Sequence, residues 1–405
     1  MRKTSWIIVL VALVVGAIGV YQRLAFGHEV AGYSSPIPWG LWIATYIFFI
    51  GLSAGAFLLS TLVYVFRIKE IESMGRLALL TALATLIAAL VTIWLDLGQM
   101  GRFWRVFTNP NFHSAMTWMV WLYAAYFILL TAELFFAVRS DLVKNATPAM
   151  VESDKRMLSI LGTIGIPLAI AFHGGVGTLF AVVQARPYWN TPLLPILFLV
   201  SALSSGSALL TFVAAVVGPG KQSQEFKRAI NFLAKAVVVL LVLDLLFELA
   251  EFIVGTYGPA PAHALPYQLI LFGQNWWIFW IVHLLLGALI PVILLTIKDA
   301  STQTIGSGAL LITLGFLGVR YNIVLPGLLV PLFPALPAAY IEPKISYTYV
   351  PTLSEWLVVL FVLALGTTIF LFGIENLPIL GRLNRSDLSA VGQVGSDAKL
   401  SSVKS

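Results

Sequence analysis

Asp244, Glu248 and Glu251 recur at i, i+4 and i+7, which sets three carboxylates on one face of a helix. The sequence around them is apolar. Three anions cannot all ionise in a low-dielectric stripe, so this spacing suits a proton relay. For Glu251 the alternative is plain solvation near a membrane surface. Arg320, followed by Tyr321 and Asn322, lies near the end of an apolar run from Ile305 to Val330. A guanidinium at lipid depth faces a bundle interior, a partner or a water-filled cavity; the alternative is that it snorkels outward. His173 sits mid-span within Ala171-Phe172-His173-Gly174-Gly175, and His283 lies in a later span. Each is either a proton-handling group or a hydrogen-bonded core residue. As a pair they fit a bis-His haem poorly because their depths differ, and no haem is expected. Glu133 either extends a proton path toward the cytoplasm or snorkels at the inner leaflet.

A second constellation opens at Asp96. It runs Asp96-Leu97-Gly98-Gln99-Met100-Gly101-Arg102-Phe103-Trp104-Arg105 and continues to Asn109-Pro110-Asn111-Phe112-His113. An acid, two arginines, aromatic faces and a histidine in one interfacial stretch suit a quinone head group. Such a ligand stacks on an aromatic ring, accepts hydrogen bonds on two carbonyls and needs an acid to take its proton. Taken residue by residue, the same stretch reads as an interfacial aromatic belt edged by arginine.

The elements that must position these groups are membrane helices. The 405 residues are 59% hydrophobic and only 10% charged, a balance that soluble domains do not have. Ten apolar stretches are long enough to cross a bilayer, near 4–24, 39–66, 77–97, 115–138, 157–184, 192–218, 232–256, 275–297, 305–325 and 354–375. The first has an apolar run from Trp6 to Tyr21 with no clear cleavage site, so it reads as a retained helix. With the N-terminus in the cytoplasm, 18 Lys/Arg fall on the cytoplasmic side and 5 on the other, with Arg320 inside a span. That bias, with an even number of spans, puts both termini inside. The net charge of +6 therefore reflects topology, and no nucleic-acid partner is expected. There are no cysteines, which excludes thiolate-held zinc or iron–sulfur clusters on this chain.

Residues 39–184 and 192–325 look like two copies of a four-helix unit. Gly51-Leu52-Ser53-Ala54-Gly55-Ala56-Phe57-Leu58-Leu59-Ser60 aligns with Ala202-Leu203-Ser204-Ser205-Gly206-Ser207-Ala208-Leu209-Leu210-Thr211 at an offset of 151 residues. Four is even, so the copies share one orientation. The expected fold is an all-α integral membrane domain over 1–380, with parallel repeats formed by spans 2–5 and 6–9, flanked by spans 1 and 10. The polar segment 381–405 reads as a flexible cytoplasmic tail. The outer loops 25–38, 98–114, 257–274 and 326–353 are rich in Pro, Gly and aromatics and poor in charge. They either carry a docked partner or fold back over the bundle.

Five segments together resemble the NrfD family, the membrane subunits of polysulfide-reductase-type respiratory complexes. They are Pro38-Trp39-Gly40-Leu41-Trp42-Ile43-Ala44 leading to Gly55-Ala56; Asp96-Leu97-Gly98 through Arg102-Phe103-Trp104 to Asn109-Pro110; Phe172-His173-Gly174-Gly175 with Pro192-Leu193-Leu194-Pro195; Phe279-Trp280 with Pro291; and Arg320-Tyr321-Asn322-Ile323-Val324. The ten-span length resembles the hydrogenase-associated, HybB-like branch. The resemblance implies no haem and menaquinol bound near the extracytoplasmic face. It further implies a ferredoxin-like [4Fe–4S] partner serving a molybdopterin oxidoreductase or a hydrogenase. It maps the family's acid to Asp96, its histidine to His173 and its arginine to Arg320. Gly174-Gly175 departs from the polar residues that many relatives carry there.

The reading that combines these features is a membrane subunit of a respiratory oxidoreductase in the cytoplasmic membrane. Trp39, Asp96, Arg102, Asn109, His113 and His173 are its quinol-site candidates. Glu133, Asp244, Glu248, Glu251, His283 and Arg320 are its proton-relay candidates. The alternatives are a proton-coupling subunit that never meets quinone, a pure membrane anchor and a solute transporter built on parallel repeats.

Overall fold

In lipid every backbone N–H and C=O must be paired within the chain, so the long apolar runs have no choice but to be helical. The computed structural model describes residues 2–143, 145–218, 223–257, 261–333, 335–339 and 342–380. The expected tail at 381–405 lies outside them. The long helices are α1 (Arg2–Phe26), α2 (Leu41–Tyr64), α3 (Gly75–Asp96), α4 (Ala115–Leu142), α5 (Pro148–Ala181), α6 (Leu194–Val217), α7 (Gln224–Tyr257), α8 (Ile278–Thr296), α9 (Thr302–Val324) and α10 (Leu353–Asn376). A further helix, Pro261–Phe272, follows α7. The chain is an all-helical integral membrane protein, with no named strand among the described residues.

Among the described residues, nine helices are long and apolar enough to span a membrane. The other long one is α7. At 34 residues its length is ample, but Asp244, Glu248 and Glu251 interrupt its hydropathy. It packs on α6 instead of presenting that face to lipid. Burial ranks the rest. Most of α2, α6 and α9 is enclosed, whereas α1 is largely exposed and lies on α10, which in turn lies on α3. The first 12 residues of α8, Ile278–Leu289, are wound as π-helix, and His283 sits inside that stretch. Such windings are uncommon and cluster at functional sites.

The centre of the molecule is the crossing of α2 and α6. A Cβ on Gly55 would lie 2.0 Å from the Ala202 carbonyl oxygen and 2.8 Å from Gly206 Cα. A Cβ on Gly206 would lie 2.5 Å from Gly55 Cα. Small residues bring the backbones together because lipid supplies no hydrophobic drive between helices. Gly55→Ala must push α2 off α6. The expected cost is about 1–3 kcal/mol, read as a lower unfolding midpoint in detergent. Gly98→Ala, where a Cβ meets nothing within 4 Å, is the control that stays unchanged. A similar glycine contact, Gly287 on Gly315, joins α8 to α9.

Candidate functional site

Asp96 is the last residue of α3, and it is buried. Its Oδ1 accepts a hydrogen bond of 2.7 Å from the Tyr33 hydroxyl. Tyr33 comes from the loop between α1 and α2. Burial, and after it the Asp96 carboxylate, push the Tyr33 phenol well above its usual range, so it stays a neutral donor. Arg23, near the end of α1, does not bond the carboxylate. It donates to the backbone carbonyls of Leu95 (2.7 Å) and Leu97 (2.8 Å), and it lies 5.9 Å from the centre of the Trp42 ring. His28 Nε2 lies 2.8 Å from the Asp96 carbonyl oxygen and 3.2 Å from Arg23 Nη2. The end of α3 thus has its orphan carbonyls capped by a guanidinium. The carboxylate is left to a phenol.

The loop that carries Tyr33 is clasped by the other end of the chain. Glu355, in the first turn of α10, is fully buried. Its Oε2 accepts from the Thr352 N–H (3.0 Å) and from the Gly32 N–H (3.0 Å), and its Oε1 accepts from the Tyr349 hydroxyl. Tyr349 Oη in turn accepts from the Leu41 N–H at 2.7 Å. Burial and the Glu355 charge raise the Tyr349 phenol far above its usual range. Sequence reasoning did not single out Arg23, His28, Tyr33, Tyr349 or Glu355 as site residues. The pattern Thr352-x-x-Glu355 is readable as a capping box, but nothing in the sequence says that this cap is buried.

The second constellation is buried charge at the junction of α2, α5, α6, α7 and α9. Arg320 is 1% exposed, and its Cζ lies 4.8 Å from the centre of the Phe198 ring. Neither Nη atom has a hydrogen-bond partner among the described residues. A Cβ on Gly51 would meet Arg320 Nη2 at 3.2 Å, Ser205 Oγ at 3.6 Å and His173 Cε1 at 3.7 Å, so these three side chains converge on a bare glycine. His173 Nε2 bonds the Phe198 carbonyl oxygen at 2.8 Å, and its Nδ1 is unpaired among the described residues. Arg320 and Asp244 are opposite charges close enough to interact.

Asp244, Glu248 and Glu251 do share one space. They line a cavity of about 40 Å³ together with Tyr188, Ser201, Tyr267 and Asn322. That is room for about three waters. Glu248 Oε2 lies 3.4 Å from His283 Nε2. Glu251 accepts from Thr191 Oγ1 (2.9 Å) and the Tyr267 hydroxyl (3.2 Å). A second cavity, of about 140 Å³, is lined by Gln274, Asn275, Tyr321, Asn322, Tyr347, Thr348 and Tyr349 among others. The two share Ile270 and Asn322 in their walls. Gln274 and Thr348 are exposed, which marks the second cavity's mouth.

The remaining candidates are dispersed. Arg102, Asn109 and His113 are exposed on the loop after α3. The loop turns its aromatics outward as well, with Phe103 53% and Trp104 49% exposed. Adjacency in sequence to Asp96 does not become convergence in space, because the chain leaves α3 through Gly98 and Gly101 into open surroundings. Trp39 packs on Phe180 (5.7 Å) and Trp189 (5.8 Å). His173 lies with Arg320 at the α2–α6 junction. Glu133 is 1% exposed, with Oε1 unpaired among the described residues, and faces Gly162 of α5. At the end of the bundle away from Asp96, Arg76 pairs with Asp141 at 2.5 Å and Arg139 pairs with Asp154.

Comparison with known proteins adds relatives of the same length and kind. A subunit of the selenate reductase of Mesobacillus selenatarsenatis is 35% identical, over 94% of this chain and 95% of the relative. The Hdr-like menaquinol oxidoreductase integral membrane subunit of Archaeoglobus fulgidus is 27% identical over 91% and 92%. The menaquinone reductase integral membrane subunit of Nitratidesulfovibrio vulgaris is 25% identical over 90% and 88%. The family model described as "Polysulphide reductase, NrfD" matches residues 29–332, a region that contains Asp96, His173 and Arg320. With that match over most of its length, the chain belongs to the NrfD family and is a membrane subunit of an oxidoreductase complex.

Proposed function

We propose that this chain binds menaquinol beside Asp96 and passes its electrons to an iron–sulfur partner subunit. The observation that carries the reading is the buried Asp96 carboxyl, held by a neutral phenol while the nearby guanidinium is committed to backbone carbonyls. A carboxylate in that setting can take a proton from a quinol hydroxyl. The Tyr33 hydroxyl can donate to a quinone oxygen, and the half-buried Tyr33 ring offers a face for stacking. Two relatives whose names contain menaquinol or menaquinone support the choice of ligand. When bound, the quinol supplies two electrons and two protons, and the chain's own residues manage the protons.

On this reading the partners are a ferredoxin-like [4Fe–4S] subunit and a catalytic molybdopterin oxidoreductase or hydrogenase. The membrane is the cytoplasmic one, with Asp96 at the outer face and both termini inside. The halves 39–184 and 192–325 are parallel repeats, and the mutual contact of Gly55 and Gly206, at the 151-residue offset, is what a pseudo-two-fold axis between α2 and α6 requires. Asp244, Glu248, Glu251, His283 and Arg320 then serve proton movement in the second half. A second reading, proton coupling without quinone, is favoured by one observation: the two cavities described above are lined mainly by second-half residues, with Tyr188, Pro326, Leu329 and residues 347–349 of the adjoining loops.

Purifying the intact complex and extracting its quinones separates the two. Stoichiometric menaquinone, with turnover blocked by a quinone analogue, is the expected result. A quinone-free complex that still takes up protons during turnover would establish the second reading.

A further inference from the structure

Two carboxyl–phenol pairs face each other at the end of the bundle, Asp96 with Tyr33 and Glu355 with Tyr349. They are drawn from the two ends of the chain. What separates them is Gly40. A Cβ there would lie 2.3 Å from Tyr349 Oη and 2.6 Å from Tyr33 Cε1. The glycine leaves the two tyrosines in apposition, with ring centres 6.4 Å apart. On its far side Tyr349 lines the 140 Å³ cavity, whose mouth is at Gln274 and Thr348. On its near side its hydroxyl both donates to Glu355 and accepts from the Leu41 N–H. Glu355 itself holds more donors than a helix cap needs. The Thr352 N–H completes the cap, and Gly32 N–H and Tyr349 are additional. A cap glutamate normally sits in water, where its charge costs little. This one is fully buried.

We propose that Glu355 and Tyr349 form the proton exit of the Asp96 site, carrying protons from Asp96 to the cavity that opens at Gln274 and Thr348. The proposal rests on quinol oxidation at Asp96. The two quinol O–H bonds break in turn; each time one electron leaves to the partner subunit and the proton binds the Asp96 carboxylate, which passes it on before the second arrives. The proton then passes through Tyr33 to Glu355. From Glu355 it passes to Tyr349, which lines the 140 Å³ cavity, and on to water there and to bulk solvent, and each group returns to its starting form. The two phenols resist ionisation, so they act by donating one proton while accepting another. In this scheme α1 and α10 are part of the machinery, because they supply the frame on which both pairs close. Tyr321, whose ring centre is 6.5 Å from that of Tyr349, lines the same cavity and continues toward Asn322 and the carboxylates of α7.

The test uses the intact complex, a water-soluble naphthoquinol as donor and a dye as electron acceptor. Glu355→Gln keeps a capping acceptor but no titratable group. It is expected to lower kcat by at least about tenfold, to leave the KM for naphthoquinol unchanged, and to enlarge the solvent deuterium isotope effect. Tyr349→Phe is expected to show the same loss. Thr352→Ala, which removes the hydroxyl that caps α10 and holds the Val30 carbonyl but leaves both carboxyl–phenol bonds in place, is expected to keep full turnover. Wild-type kcat in Glu355→Gln would overturn the proposal alone. So would a loss that Thr352→Ala shares, which would mark a structural cap. A wild-type complex with no quinol-dependent turnover would instead remove the quinol reading, and the exit with it.

Discussion

Asp96→Asn is expected to reduce quinol-dependent turnover by about 100-fold or more, the span that a positioned proton acceptor contributes, while the complex still assembles. The substitution conserves shape. The asparagine carbonyl can still accept from Tyr33, as Asp96 Oδ1 does at 2.7 Å. The bonds that fix the end of α3 run from Arg23 and His28 to the carbonyls of Leu95, Asp96 and Leu97, so they do not involve the side chain. What is lost is the capacity to take a proton. The measurement is naphthoquinol oxidation by the purified variant complex, with the composition of the complex checked on the same sample. Unchanged turnover would remove Asp96 from the chemistry. Loss of the complex itself would show a structural role instead.

Arg320→Gln should destabilise the chain by about 2 kcal/mol or more, because a desolvated cation–π contact over Phe198 is lost and buried Asp244 loses the positive charge that acts on it. Arg320 is fully enclosed, its guanidinium lies over Phe198, and Asp244 is close enough to act on it electrostatically, with no hydrogen bond to either Nη atom among the described residues. Converting Asp244 to asparagine in the same chain removes the acid that Arg320 acts on and is expected to recover part of the loss. Unfolding midpoints in detergent for the two single variants and the double variant give the coupling directly. Additive losses would mean that the two groups do not sense each other, and the junction of α2, α6, α7 and α9 would need a different account.

The helices are legible in the sequence because lipid enforces them. Long apolar runs and the loop charge bias follow from backbone pairing and hydration, both of which act locally. Even α7 is legible, since the i, i+4, i+7 spacing that spoils its hydropathy also announces a buried face, and its three acids do line one cavity. The Asp96 site is half legible. The acid stands out at the end of an apolar run, but its partners come from loop and flanking segments with no periodicity. Tyr33 and Tyr349 are 316 residues apart in sequence, and a loop tyrosine looks the same whether it is buried or wet. Arg102, Asn109 and His113 show the opposite error, since polar groups adjacent to a buried acid in sequence invite the expectation that they gather around it. The structure turns their loop outward. His173, grouped with Asp96 on sequence grounds, lies instead beside Arg320, because the helix that carries it meets α2 at Gly51, well away from the end of α3.

The most direct measurement is photolabelling of the intact complex with an azidonaphthoquinone, followed by mapping of the modified residues. Quinol binding beside Asp96 predicts label in the segment from His28 to Trp42 and near Asp96, competed away by unlabelled quinone. Label that is confined to the walls of the 140 Å³ cavity, or that no quinone displaces, would contradict it.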